Sequence, residues 1–461
     1  MTMQIDADIF RAYDIRGVVD QGLTPESVAL IGRALGSAVR AAGEETLIVG
    51  RDGRLSGPAL SSALMAGARA AGVNVVDLGC VTTPMVYWAA ATTPGVSSCA
   101  VVTGSHNPPE YNGIKMVVAG DALSGDAIEA LRHRIENGDF TAGEGNYAAR
   151  EIAQAYIEDI ASKIHLQRPL KVVVDAGNGV AGAYAPAVLR AIGCEVVELY
   201  CDVDGTFPHH HPDPAKPQNL TDMIERVKTE GADLGLAFDG DGDRCGVVDE
   251  QGNLLYADRQ MMLYACDVLR RKPGGTVIYD VKCTSLLARE IERCGGVPLM
   301  WRTGHSLIKK KMKQTGAVLA GEMSGHIFFN ERWYGFDDGI YTAARMCEII
   351  AAQQQPASAV FARLPNAFNT PELELTFDRF GEHFAFMEKL KACADFADGS
   401  VFDLDGIRVD FEDGWGLVRP SNTTPVLVLR FEGQTPEARA RIKRRFADWI
   451  KRVDPDRTLP L

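Results

Sequence analysis

A chain of 461 residues, 46% hydrophobic and 24% charged, has room for three to four domains of roughly 100–200 residues each. Its formal net charge of −13 excludes the basic face that nonspecific nucleic-acid or anionic-membrane binding requires, although a local Arg/Lys cluster can still hold an anion on an acidic body. Residues 1–10 carry two aspartates and no apolar core, and no apolar run approaches the roughly 18–20 residues that span a bilayer. With ten scattered cysteines and no C-x-x-C pair, the expectation is a cytoplasmic protein whose thiols are free and buried.

In chain order, the first clear unit is a strand LIVGRDGR from Leu47, a helix PALSSALMAGARAAG and a second strand VNVVDLG. The same apolar strand, turn, helix and strand recur from Lys171 (KVVVDAGNGVAG, YAPAVLRAIG, CEVVELY) and from Thr276 (TVIYDVKCTS, LLAREIERCGG, VPLMW). Continuous apolar, β-branched first strands are those of a sheet covered on both faces, and a helix between two such strands makes a right-handed crossover and parallel pairing. A spacing on the order of a hundred residues makes each repeat a whole α/β domain. Boundaries are expected near residues 150, 255 and 365, with the polar stretch 137–146 as the first hinge. After Gln353-Gln354-Gln355-Pro356 the pattern changes to alternating strands (LELTF, IRVDFED, WGLVRP) with helices at 384–394 and 436–453. This predicts an α+β domain of about a hundred residues on a proline-containing linker, free to move as a lid.

Four loops carry chemistry. TGSHNP places Ser105 on an exposed turn after the strand 99–102, because Pro108 blocks helix continuation. DGDGDR places Asp239, Asp241 and Asp243 in alternation on a glycine-rich turn. Two carboxylates about 4 Å apart repel by roughly 4 kcal/mol at an effective dielectric of 20, so a hard cation is expected among them. With Glu250 in the twelfth position the loop also mimics a calcium EF-hand, but Arg244 occupies the place of the required glycine and both flanks read as strands. GEMSGH offers Glu322, Ser324 and His326, a carboxylate, a hydroxyl and an imidazole suited to the hydroxyls of one small polar ligand. RPSNTT sets Arg419 beside Ser421, Asn422 and Thr423, a set that suits phosphate. The triple histidine 209–211, set among Pro208, Pro212 and Pro214, is read as an interdomain or phosphate contact rather than a metal site.

Together with FRAYDIRG at residues 10–17, these loops in this order resemble the α-D-phosphohexomutase family, in its bacterial phosphomannomutase/phosphoglucomutase branch. The resemblance runs the length of the chain. It implies three similar mixed α/β domains and a C-terminal α+β, TATA-binding-protein-like domain, arranged as a heart around a central cleft. The divisions would be a phosphoserine domain (1–150), a metal-binding domain (151–254), a sugar-binding domain (255–365) and a phosphate-binding domain (366–461). Ser105 resembles the phosphoserine. Asp239, Asp241 and Asp243 resemble the Mg²⁺ ligands, which a phosphoserine oxygen completes, and Arg244 would lie beside the phosphoserine. Glu322, Ser324 and His326 resemble the sugar-reading residues, and Arg419, Ser421, Asn422 and Thr423 the distal phosphate clamp. Lys115, Arg16, Tyr13, His305 and Lys282 also face the cleft by motif match, with Lys115 and His326 favoured in proton transfer. The implied reaction interconverts hexose 1- and 6-phosphates, with glucose 1,6-bisphosphate as intermediate and activator, in a monomer. Met323 of GEMSG is the letter that favours glucose and mannose phosphates. The rivals are a phosphoglucosamine mutase on the same scaffold and a non-catalytic sugar-phosphate- or calcium-binding protein.

Overall fold

The computed structural model describes residues 5–422 and 424–459. All three sequence repeats are strand–helix–strand units with parallel pairing. Thr46–Arg51 pairs with Asn74–Cys80, Lys171–Asp175 with Glu195–Leu199, and Thr276–Asp280 with Val297–Trp301. Each unit sits in its own sheet, of eight, five and four strands among the described residues. Each sheet adds an antiparallel strand beyond the parallel ones: Tyr111–Val118 against Cys99–Val102, Cys245–Asp249 against Leu234–Phe238, and Ile327–Phe329 against Leu319–Gly321. The loops TGSHNP, DGDGDR and GEMSGH are the connections between these last antiparallel pairs. Three chemically distinct loops therefore occupy one equivalent place in three related sheets, at the C-terminal strand ends where α/β folds bind ligands.

The fourth sheet is wholly antiparallel, with Gly414–Pro420 and Val426–Gly433 at its centre and the helices Glu382–Ala392 and Pro436–Val453 packed on it. RPSNTT is the turn between those two central strands.

The cores divide unequally. One apolar cluster runs through the first three domains, from Val86 and Trp88 through Val172 and Phe238 to Met261 and Ile340. The fourth domain has a separate core around Phe431, Phe446 and Trp449.

Two expectations need correction. The stretch 137–146 is not a free hinge: Gly145 lies against Val73, where a Cβ would come 1.8 Å from its carbonyl oxygen, and Tyr147–Ala149 extends the first sheet beside Asn74–Cys80. Close backbone packing along a sheet edge explains Gly143 and Gly145, while Gly138 is the left-handed cap of the helix Asp126–Asn137. The cysteines are not all free either, since Cys266 and Cys294 form a disulfide where the helices Ala257–Arg271 and Ser285–Arg293 pack together. No helix among the described residues is long and apolar enough to cross a membrane.

Candidate active site

Ser105 has φ 49°, a left-handed conformation that costs a residue with a Cβ about 1–3 kcal/mol unless its surroundings impose it. The buried guanidinium of Arg54 imposes it. It donates to the carbonyls of Ser105 (2.8 Å), Asn107 (2.6 Å), Pro108 (2.6 Å) and Tyr111 (2.9 Å), and its Nε meets Asp52 at 3.2 Å. Asp52 in turn accepts from the Thr103 hydroxyl and the Gly104 amide. A Cβ at Gly104 would lie 2.4 Å from the Arg54 guanidinium, so glycine is required. The Ser105 Oγ is left donating to Asp239 Oδ2 at 3.1 Å, with His106 Nδ1 at 3.2 Å. Burial, then the charges of Arg244 and Arg16, hold the His106 imidazole well below its ordinary pKa and therefore neutral.

Asp239, Asp241 and Asp243 are fully buried, and their ligand oxygens lie within 4.8 Å of one another. The Oδ1 atoms of Asp241 and Asp243 have no hydrogen-bond partner among the described residues. Buried, orphaned carboxylate oxygens in a trio of hard donors fit a divalent cation. Around them stand Lys115 Nζ, 2.8 Å from Asp241 and 2.5 Å from Asp243, and Arg244 Nε, 2.9 Å from Asp239. Thr83, from the first domain, donates to Asp241 at 2.6 Å. A Cβ at Gly240 would come 2.3 Å from the Ser105 carbonyl oxygen, which locks the metal loop against the serine loop. Burial first, and then Asp243, push the Asp239 carboxyl up to about 8. Lys115 is driven the other way from its burial by Asp241 and Asp243, which hold it well above its usual value as an ammonium.

His326 joins this cluster to the third loop. Its Nε2 is 3.4 Å from Asp243, while its Nδ1 is 3.0 Å from Glu322 and 2.9 Å from the Ser324 hydroxyl. Burial opposes a charge on the ring, but the carboxylates of Asp243 and Glu322 outweigh it and raise its pKa to about 10. Glu322 also accepts from the Gly304 amide at 2.5 Å, and His305 stacks on His326 with ring centroids 5.7 Å apart.

At the far end, Arg419 Nε lies 2.9 Å from Asp405 and Lys282 Nζ 2.8 Å from Glu372. Tyr13 bridges the ends: its hydroxyl donates to Thr303 O at 2.8 Å and meets the Asn422 amide. Ser421 Oγ pairs with Thr424 at 2.9 Å. Arg16 pairs with Asp14 at 2.5 Å and keeps a buried Nε without a hydrogen-bond partner among the described residues. Thr423 lies outside the described residues. Cationic groups thus stand at the aspartate cluster (Lys115, Arg244) and at the far loop (Arg419, Lys282), with the polar side chains of Glu322, Ser324 and His326 on a third loop, a set of donors that suits a small polar anion.

The histidine run makes an interdomain contact through His211, whose ring hydrogen-bonds the backbone of His106 in the serine loop. His209 stacks on Tyr200 (3.9 Å) and bonds Asn178, and His210 pairs with Asp175 at 3.0 Å, both within the second domain. Arg54, Asp52, Thr83, Asp405, Glu372 and Asp213, which pairs with Arg244 at 3.3 Å, escaped the sequence reading. Only Asp52 and Arg54 left a signal there, in GRDGR at the end of a buried strand.

Family models for phosphoglucomutase/phosphomannomutase match in order: alpha/beta/alpha domain I at residues 7–142, II at 154–252, III at 256–368, and the C-terminal domain at 382–448. The phosphomannomutase/phosphoglucomutase of Pseudomonas aeruginosa is 54% identical over 456 residues, covering 99% of this chain and 98% of that protein. A phosphoglucomutase of Neisseria meningitidis is 49% identical over 460 residues, with 99% of each chain covered. The crystal structure of a phosphoglucomutase/phosphomannomutase family protein from Burkholderia thailandensis superposes with a TM-score of 0.94 at 54% identity, covering 99% of this chain and 100% of that one.

Proposed function

From its membership of the phosphoglucomutase/phosphomannomutase family, which makes this chain a phosphohexomutase, we propose that it isomerises glucose and mannose phosphates through a phosphoserine at Ser105. The observation that carries this reading is the Ser105 hydroxyl, strained into a left-handed turn and aimed at Asp239 at 3.1 Å. The divisions 1–150, 151–254, 255–365 and 366–461 then each supply one loop. Asp239, Asp241 and Asp243 would hold Mg²⁺, which when bound supplies charge neutralisation at a transferring phosphoryl group.

This chain's own residues do the positioning. With Ser105 phosphorylated, a hexose monophosphate binds with its phosphate on Arg419, Ser421, Asn422 and Thr423 and its hydroxyls on Glu322, Ser324 and His326. Its free O1 or O6 attacks phosphorus, the P–O bond to Ser105 breaks, and the hydroxyl proton passes to a neighbouring base. A 1,6-bisphosphate and a free Ser105 result. The bisphosphate turns over in the cleft, its other phosphoryl returns to Ser105, and the isomeric monophosphate leaves. Arg244 and Arg16 are placed to stabilise charge at the serine end, and Lys282 with Tyr13 and His305 to complete the wall toward the clamp. Glucose 1,6-bisphosphate would prime the enzyme by loading Ser105. Lys115, held as an ammonium between two aspartates, and His326, held as an imidazolium, are proton donors in this arrangement. Either becomes an acceptor once its carboxylate partners are shared with another cation.

The test is a coupled assay with Mg²⁺ and catalytic glucose 1,6-bisphosphate, offering glucose 1-phosphate, mannose 1-phosphate and glucosamine 1-phosphate in parallel. Comparable turnover of the first two is expected. Turnover of glucosamine 1-phosphate alone would contradict the sugar assignment, and turnover of none would contradict the reaction.

A further inference from the structure

Asp337 lies outside all four loops, in the turn that leads from the strand Ile327–Phe329 to the helix Gly339–Ala351, and it is fully buried. Its Oδ1 pairs with Lys309 Nζ at 2.9 Å, and its Oδ2 has no hydrogen-bond partner among the described residues. One of its oxygens is within 4.8 Å of ligand atoms on both Asp243 and His326. It does not serve the helix start, because the next residue does: Asp338 is the N-cap and accepts from the Tyr341 amide at 2.9 Å. Its position is fixed by backbone. Asp337 bridges to Phe328, and the Gly339 amide donates to the Gly242 carbonyl in the metal loop at 3.1 Å. A Cβ at Gly339 would come 2.6 Å from the Arg244 carbonyl oxygen, so this turn is keyed directly onto DGDGDR.

A carboxylate buried beside other carboxylates is strongly unfavourable unless cations flank it. Asp337 has such cations beside it. Lys309 reaches it from the helix His305–Thr315, where the ammonium also lies 4.0 Å over the Tyr87 ring. His326 lies within 4.8 Å of Asp337, and the Asp337 charge acts on the Lys115 ammonium. We propose that Asp337 is a positioning residue for the proton-transfer groups: pinned by Lys309, it fixes the Lys115 ammonium and the His326 ring toward the transferring oxygen. This rests on the phosphohexomutase reading above. The Lys309–Asp337 pair then acts as one unit, whose outer member touches no substrate.

The test is a double-mutant cycle on the full-length enzyme with Mg²⁺, measuring kcat, KM for glucose 1-phosphate and the thermal midpoint. Asp337→Asn is expected to lower kcat by about 10- to 100-fold, the usual cost of losing a partner that orients a reacting group. KM should stay within about twofold, since no substrate contact is lost. Lys309→Met should reproduce the kcat loss, and the double variant should be no slower than the slower single one. A kcat for Asp337→Asn within about twofold of the parent, a loss confined to KM, or losses that multiply in the double variant would each overturn the proposal. If Asp337→Asn does not fold, Lys309→Met alone decides: reduced kcat with KM kept supports it, and unchanged kcat overturns it. Failure of the underlying reading would show separately, as a parent enzyme without mutase turnover.

Discussion

Ser105 is held by an arginine whose side-chain donors go to Asp52 and to the backbone of its own loop. Four carbonyls of one tight loop converge on the Arg54 guanidinium, and without it all four lose this donor, including the buried carbonyl of Ser105. Arg54→Met keeps much of the side-chain volume and removes all five N–H donors. The expected result is a destabilisation of about 3–5 kcal/mol from the unpaired Asp52, with kcat lowered by at least about 100-fold as Ser105 drifts from Asp239. Thermal unfolding and steady-state kinetics check both, and a kcat near the parent value would mean that the serine loop holds its own shape. At this scale legibility followed contiguity. Ser105, the three aspartates, Glu322, Ser324 and His326 could be read because each set is consecutive on one loop. Arg54, Thr83, Asp405 and Glu372 could not, because their partners stand elsewhere in the chain and become neighbours only after folding. Asp337 and Asp338 are adjacent in FDDG, where nothing in the sequence tells their roles apart. Only the fold separates a helix cap from a carboxylate beside Asp243 and His326.

Among elements, the helix Gly339–Ala351 joins core and cleft. Asp338 at its N-terminus also accepts the Tyr156 hydroxyl, at 2.9 and 3.0 Å from its two oxygens. Burial pushes its carboxyl up to about 7, against the hydrogen bonds from the Tyr341 amide and the Tyr156 hydroxyl. With a folded pKa above the unfolded one, the native state holds a proton there that the unfolded chain has lost. The stability so gained is complete below about pH 4 and is lost as pH rises through about 7. Asn at this position can still cap the helix through its Oδ1 and does not titrate. Relative to Asp338→Asn, the parent should therefore lose stability between pH 5 and pH 8, by at most about 3 kcal/mol. Denaturation at both pH values with excess Mg²⁺, which holds the metal loop in one state, measures this. Parallel profiles for the two proteins would contradict it. The elements themselves were legible wherever an apolar strand led through a turn into a periodic helix, as in the three repeats. The short strand Tyr147–Ala149 was not. Its three exposed residues carry no burial pattern, and only pairing with Asn74–Cys80 makes them a strand.

Over the whole molecule, the division of apolar surface sets what can move. Besides clusters of their own, the first three domains share one continuous apolar cluster, so the loops of Ser105, Asp239 and Glu322 are mounted on a single body. The fourth meets that body through a small cluster of Val281, Trp415 and Leu417 and through polar contacts: Arg408 to the Val281 and Cys283 carbonyls, and Arg430 to Asp258 and the Lys282 carbonyl. It touches the first domain through Asn422 on Tyr13 and through Arg11, 4.8 Å from the Phe380 ring. Hydrogen bonds and a cation–π contact can be remade at small net cost, whereas a shared core cannot be opened. On the function proposed above, a phosphate clamp on the separately cored domain is suited to loosening while a bisphosphate turns, without disturbing the loops of Ser105 and Asp239. The change of pattern after Pro356 made the separate domain legible. Its contacts across the cleft were not, since they pair residues about four hundred positions apart.

The central claim is that Ser105 carries the phosphoryl group, and the most direct measurement is to locate that group. The enzyme would be incubated with Mg²⁺ and glucose 1,6-bisphosphate, the phosphate mapped by peptide mass spectrometry, and the phosphoenzyme then mixed with glucose 6-phosphate or mannose 6-phosphate. The account predicts a single phosphoryl on Ser105, discharged by either sugar, and neither labelling nor turnover in Ser105→Ala. A phosphoryl on another residue, or a Ser105→Ala enzyme that turns over near the parent rate, would contradict it.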